Sequence, residues 1–335
     1  MSDIFSKLLS EQGWILADGA TGTNLFAMGL EAGEAPELWN EDAKDKIEAL
    51  YRGSVDAGSD LFLTNSFGGN RSRLKLHNAE DRVVELNAKA AEIGRKVADE
   101  QDRPVVVAGS IGPTGEIMGA AGSLGHEEAV EMFAEQIVGL KEGGADILWV
   151  ETISSPEEFK AAAEACDGSG LPWCGTMSFD TAGRTMMGVT SADIVPLAEG
   201  LPNPPLAYGA NCGVGASDLL RSITGMATAG ASKPLIAKAN AGIPKFVDGC
   251  VKYDGTPELM ADYAELAHRA GARIIGGCCG TMPKHLRLMR EALETRDIAS
   301  AVDSEEITTK LGAYSSESDG TGDTPTPARR RRRRG

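Results

Sequence analysis

The feature that most constrains this chain is a recurrence: eight short apolar runs rich in β-formers, each followed by a segment of helical composition. The runs cover residues 15–20, 60–65, 105–111, 147–152, 173–179, 206–212, 234–240 and 273–279, with amphipathic stretches such as 42–57, 79–100, 126–143, 156–165 and 257–270 between them. Strands separated by helices cannot pair as hairpins, so the sheet they form is parallel and covered by helices. Eight such units predict closure into a (β/α)8 TIM barrel over residues 1–295, with a doubly wound open sheet as the runner-up. A chain of 335 residues could hold two average domains, but a barrel alone takes ~250 residues.

From residue 296 the composition turns to Ser, Thr, Gly, Asp and Pro, which cannot bury enough surface to offset chain entropy, so 296–335 is expected to be a disordered tail. It closes on Arg329–Arg334. The net charge is −16, and subtracting those six arginines leaves −22 on the rest, which argues against a nucleic-acid-binding surface. The arginine run reads as a solvated tail against an acidic surface, or as a contact for an anionic partner. No apolar stretch approaches the ~20 residues of a membrane span, and no secretory signal is visible, so a cytoplasmic protein is expected.

Residues able to do chemistry gather at the C-terminal ends of the runs, where barrel enzymes keep their active sites. They are Asp18-Gly19, Thr64-Asn65-Ser66, Gly109-Ser110, Glu151-Thr152, Ser178, Asn211-Cys212, Asn240-Ala-Gly242 and Gly276-Gly-Cys-Cys-Gly280. Six cysteines are too few for a disulfide framework. Cys278 and Cys279 are adjacent, a poor geometry for a disulfide, and flanking glycines free the backbone to turn both sulfurs to one point. Cys212, two strands away around a closed barrel, reaches the same centre. Three thiolates would hold Zn2+ with a fourth position open, as catalytic zinc requires. A reactive vicinal thiol pair without metal is the other reading.

Cys166, Cys174 and Cys250 read as small buried hydrophobes. His285 reads as part of a last helix over 283–292, because a fourth protein ligand would close the site. Open zinc suits alkylation of a thiol: free thiols, with pKa ~8.5, are mostly protonated at neutral pH, whereas a zinc-bound thiol is a thiolate. No general base is then required, which agrees with only four histidines, none at a strand end. Asn211 and Asn240 are expected to orient the ligands through hydrogen bonds. The Asp18–Thr23 glycines lack both the Lys-Ser/Thr ending and the GxGxxG spacing of nucleotide sites.

On these motifs the chain resembles the homocysteine S-methyltransferase family over roughly residues 12–295. The segments that match are Asp18-Gly-Ala-Thr-Gly-Thr23, Thr64-Asn-Ser-Phe67, Gly109-Ser-Ile-Gly-Pro113, Glu151-Thr152, Gly209-Ala-Asn-Cys212, Asn240-Ala-Gly-Ile-Pro244 and Gly276-Gly-Cys-Cys-Gly-Thr281. The resemblance implies Cys212, Cys278 and Cys279 as zinc ligands, and Asp18, Gly19, Thr64, Ser110 and Glu151 around the amino-acid end of homocysteine. It implies methionine as the product.

The methyl donor is the variable part of that family. A trimethylammonium donor such as betaine calls for an aromatic cage. This chain is 5% aromatic and carries Ala20-Thr21 and Phe67-Gly68-Gly69 where betaine-type enzymes have aromatic residues, leaving Trp39 as one wall. The segments look more like the homocysteine module of cobalamin-dependent methionine synthase, yet the chain has no second barrel and no Asp-x-His-x-x-Gly segment. The expectation is the homocysteine-activating component of a split enzyme, with methylcobalamin arriving on a partner protein. Betaine or another onium donor, including S-methylmethionine, is the alternative, and a non-catalytic zinc scaffold is the alternative of another class.

Overall fold

The computed structural model describes residues 4–119, 122–180, 182–243, 245–247 and 250–321. Eight parallel strands appear where the apolar runs predict them: β1 Ile15–Leu16, β2 Leu61–Leu63, β3 Val106–Ile111, β4 Ile147–Ile153, β5 Trp173–Met177, β6 Ala207–Cys212, β7 Leu235–Ala239 and β8 Ala272–Gly277. Each pairs with its neighbour in parallel register, and β8 pairs with β1. The seam between the two shortest strands is closed by a single parallel bridge, Ala17 to Leu61. There Asp60 replaces ladder bonds: its backbone N–H donates to Leu16 O (2.7 Å) and its carboxylate accepts from Leu16 N (3.0 Å). Arg290 and Arg103 hold that buried carboxylate in place at 2.9 and 3.1 Å. The sheet is a closed (β/α)8 barrel rather than the open doubly wound alternative.

Alternation along the strands separates two cores. Ile15, Ala17, Leu61, Leu63, Val106, Ala108, Ile147, Trp149, Cys174, Ala207, Ile236 and Ile274 fill the interior, and Phe5 and Leu8 of the helix Ile4–Gln12 pack on the same cluster. The residues between them, such as Leu16, Leu148, Tyr208 and Leu235, face the surrounding helices. Continuing the inward series toward the strand C-termini brings Ser110, Glu151, Thr176, Asn211, Lys238 and Cys278 into line. One end of the interior is thus apolar and the other polar.

The tail departs from expectation. Over residues 296–321 it is ordered, with a helix Ser304–Leu311 capped by the Asp303 side chain and burying Ile307 and Leu311. Arg269 binds Glu306 at 2.6 Å, so the helix is fixed by charge as well as by its two apolar side chains. Beyond it, Ser315 N donates to Asp218 (3.0 Å), Arg221 donates to Ser316 O (2.8 Å), and the Arg221 guanidinium lies over the Tyr314 ring. The segment ends against the loop after β5, where a Cβ on Gly183 would come within 2.3 Å of the Asp319 backbone. The spacing Ile307, Leu311 puts both side chains on one face, but two apolar residues in a polar segment are too few to signal a helix by periodicity. The Arg329–Arg334 run lies outside the described residues. A short hairpin, Lys245–Val247 with Cys250–Lys252, is a second unexpected element. Among the described residues no helix is long and apolar enough to cross a membrane.

Candidate active site at the strand ends

The three cysteines converge. Cys212, at the end of β6, and Cys278 and Cys279, just past β8, place their sulfurs within 4.8 Å of one another, each partly exposed to the mouth. Tetrahedral zinc with bonds of ~2.3 Å sets its sulfurs about 3.8 Å apart, so the cluster is already near the geometry such an ion demands. The donor set, three soft thiolates with room for a fourth ligand, fits zinc.

Backbone strain supports the convergence. Cys212 has φ 60° and Thr152 has φ 61°, left-handed values that non-glycine residues seldom adopt. Asn211 holds both strand ends: its Oδ1 accepts from Thr152 N (2.9 Å) and Thr176 Oγ1 (2.8 Å), and its Nδ2 donates to Thr152 Oγ1 (2.7 Å). The same Nδ2 lies 4.0 Å from Cys278 Sγ. Asn240 Nδ2 donates to Gly213 O (2.8 Å), fixing the turn after Cys212, while its buried Oδ1 has no partner among the described residues. Close packing explains Gly277, because a Cβ there would sit 2.3 Å from the Thr281 side chain. The thiols share protons. Hydrogen bonds from Cys212 and Cys278 pull Cys279 down to about 3, and hydrogen bonds to Cys212 and Cys279 raise Cys278.

Beside the sulfurs lies a cluster of buried polar side chains. Ser110 Oγ donates to Glu151 Oε1 at 2.5 Å; Ser110 N donates to Thr64 Oγ1 (3.0 Å), Thr64 meets Ser66 Oγ (2.6 Å), and Ser66 donates to Ser110 O (2.8 Å). With the Ser66 proton used on Ser110 O, the Thr64 hydroxyl donates to Ser66, so Thr64 braces the cluster rather than offering a free donor. Glu151 Oε2 accepts no hydrogen bond among the described residues, and the Gly19 N–H is likewise unpaired there. A Cβ on Gly19 would meet Thr281 O at 2.6 Å, which keeps that backbone bare. Asp18 is different: Oδ2 accepts from Leu63 N (2.9 Å) and Oδ1 from Lys238 Nζ (2.5 Å).

Burial raises the pKa of Glu151 and of Asp18, against the opposing Lys238 charge. Burial also opposes the charge on Lys238, but Asp18 and Glu151 outweigh it and raise its pKa. Lys238 went unnoticed in the sequence. Its signal was there, a lysine inside the run Leu235-Ile-Ala-Lys-Ala239 at the parity of Ile236. Tyr253, whose hydroxyl hydrogen-bonds to Cys279, was also missed, because it follows the unforeseen hairpin.

The remaining expectations divide. Cys166 and Cys174 are buried within the cores, and the side chain of Cys250 lies outside the described residues. His285 sits in the helix Pro283–Thr295, where Nδ1 accepts from Met282 N (2.8 Å) and Nε2 donates to Gly255 O (3.1 Å). Both ring nitrogens are engaged away from the sulfurs. Trp39 has Lys46 Nζ over one face of its ring, 4.3 Å from the centroid.

A closed (β/α)8 barrel with its polar side chains crowded at the C-terminal mouth is the layout of a barrel enzyme. The sequence pattern of the family described as homocysteine S-methyltransferase matches residues 15–293; the chain belongs to that family and is a methyltransferase. It is 30% identical over 298 residues to methionine synthase of Mycobacterium tuberculosis and 30% over 300 residues to that of Mycobacterium leprae. Each match covers 83% of this chain but 24% of the relative, so the chain spans about a quarter of those synthases. The homocysteine methyltransferase MmuM of Escherichia coli in its oxidized form superposes with a TM-score of 0.70 at 25% identity, over 87% of this chain and 99% of that one. Its metallated form gives a TM-score of 0.69 at 24% identity, over 86% and 99%.

Proposed function

We propose that this chain makes methionine from homocysteine on a zinc ion held by Cys212, Cys278 and Cys279, as the homocysteine-activating component of a split cobalamin-dependent methionine synthase. The observation that carries the reading is the sulfur cluster beside a buried carboxylate with one unused oxygen. Zinc bound there would hold the substrate sulfur as a thiolate and so dispense with a general base.

The chain's own residues bind and orient. Glu151 accepts the substrate ammonium on Oε2, with Ser110 fixing the carboxylate, and the Gly19 N–H takes one oxygen of the substrate carboxylate. Thr64 and Ser66 keep Ser110 in place, while Asn211 and Asn240 hold the backbone around the cysteines. Burial sharpens each of these contacts, because the pocket excludes the water that would screen them.

Delivery of the methyl group by a corrinoid partner protein is supported by two observations. The named relatives are methionine synthases. Of the eight large apolar side chains exposed among the described residues, Phe26, Phe67, Leu76, Ile117, Met186, Met187 and Ile243 lie in the connections that follow strands, the side of the barrel that carries the site, and only Val138 lies on an outer helix. Exposed apolar side chains gathered on one face mark a protein contact.

The test is methionine formation by zinc-loaded protein with homocysteine and each donor in turn: betaine, dimethylsulfoniopropionate, S-methylmethionine, and a methylated corrinoid protein. Turnover only with the corrinoid protein is the expected result. Turnover with an onium compound alone would replace the split-synthase reading by a self-sufficient one, and methionine from none would remove the activity.

A further inference from the structure

The pocket holds two buried carboxylates, yet an amino-acid substrate brings only one ammonium. Asp18 and Glu151 are both below one-tenth exposed, and the Asp18 charge disfavours ionisation of Glu151. A substrate carboxylate entering the same pocket would meet two negative charges. Lys238 changes that balance. Its side chain, 3% exposed, contacts Asp18 Oδ1, while the Leu63 amide donates to Oδ2, so each oxygen of Asp18 already accepts one hydrogen bond and its charge is met by the Lys238 ammonium. With all three groups ionised, the sum is a single negative charge.

We propose that Lys238 is a positioning residue that, by offsetting the charge of Asp18, leaves the two carboxylates with one net negative charge for the substrate ammonium and so fits the pocket to a zwitterionic amino-acid thiol. This rests on the homocysteine reading above. Lys238 lies on β7, opposite Asn211 of β6 and Gly276 of β8 in register, so the strands beside it set its position. The assignment differs from a purely structural ion pair in one respect. A structural pair would matter equally for every ligand, whereas a charge-balancing lysine matters most for ligands that carry a carboxylate.

The experiment is calorimetric titration of the zinc-loaded full chain with homocysteine, with 3-aminopropane-1-thiol, which lacks the carboxylate, and with 4-mercaptobutyrate, which lacks the ammonium. In Lys238→Met the homocysteine Kd rises at least tenfold while zinc content holds, and the Kd of the aminothiol changes less than threefold. The double variant Lys238→Met/Asp18→Asn removes both charges together, and an amide at position 18 still accepts from Leu63 N. Its homocysteine Kd returns to within threefold of the unaltered protein, also where the single variant is too unstable to titrate.

An unchanged homocysteine Kd in Lys238→Met, equal losses for homocysteine and the aminothiol, or a double variant that binds homocysteine no better than tenfold below the unaltered protein would each overturn the proposal. Tighter binding of 4-mercaptobutyrate by Lys238→Met would overturn it as well. Absence of homocysteine binding by the unaltered, zinc-loaded chain would instead remove the reading on which it rests.

Discussion

At the scale of single residues the site divides into sulfurs that gather, a buried carboxylate proposed to receive the substrate ammonium, and neighbours that brace. Removing one sulfur leaves two, too few to keep zinc in an open site, so Cys279→Ala is expected to lose metal and activity together, checked by zinc content against protein concentration. On the proposed reading, Glu151→Gln keeps the Ser110 contact but removes the charge that would meet the ammonium. Charge-assisted hydrogen bonds contribute roughly 1.5–3 kcal/mol, so the homocysteine Kd should rise about tenfold or more with zinc retained, read by titration. The cysteine trio was legible because cysteines are few and the adjacent pair excludes a disulfide. The place of Asp18 at a strand end was legible, but its partner Lys238 is 220 residues away, and no local pattern couples the two.

At the scale of elements, strand parity turns sequence into site. The two-residue alternation that fills the interior with Ile147 and Trp149 also aims Glu151 inward, and the same alternation takes Ile236 to Lys238. All eight strands were legible, since buried parallel strands are continuous apolar runs. Their ends were less so: β1 stops at Leu16 rather than Ala20, because Asp18 turns away to bind Leu63 N and Lys238. Helix contacts are tighter than composition reveals. Gly139, in the helix His126–Glu142, packs on the helix Val83–Asp99 so closely that a Cβ would lie 2.3 Å from Val84 O. Gly139→Ala should therefore overpack that contact and cost about 1–3 kcal/mol, measurable by urea denaturation, despite the better helix propensity of alanine.

At the scale of the whole molecule the barrel is fastened from outside by its own C-terminal segment, which composition alone marked as unstructured. The helix Ser304–Leu311 buries Ile307 and Leu311 and pairs Glu306 with Arg269. Fully burying two such aliphatic side chains contributes roughly 3–6 kcal/mol before the entropy of ordering the segment is subtracted. Ending the chain after Asp303 should lower the thermal midpoint by several degrees while leaving zinc content unchanged, read by calorimetry and metal analysis. A chain that loses zinc on this truncation would show that the segment supports the site as well as the barrel.

The central claim is that three protein sulfurs hold a zinc ion whose fourth position takes the substrate sulfur. X-ray absorption at the zinc edge tests it most directly, with and without homocysteine. The account predicts three sulfur neighbours at ~2.3 Å plus one oxygen or nitrogen in the free protein, and four sulfurs once homocysteine is added. Four sulfurs before homocysteine, or three both before and after, would contradict it.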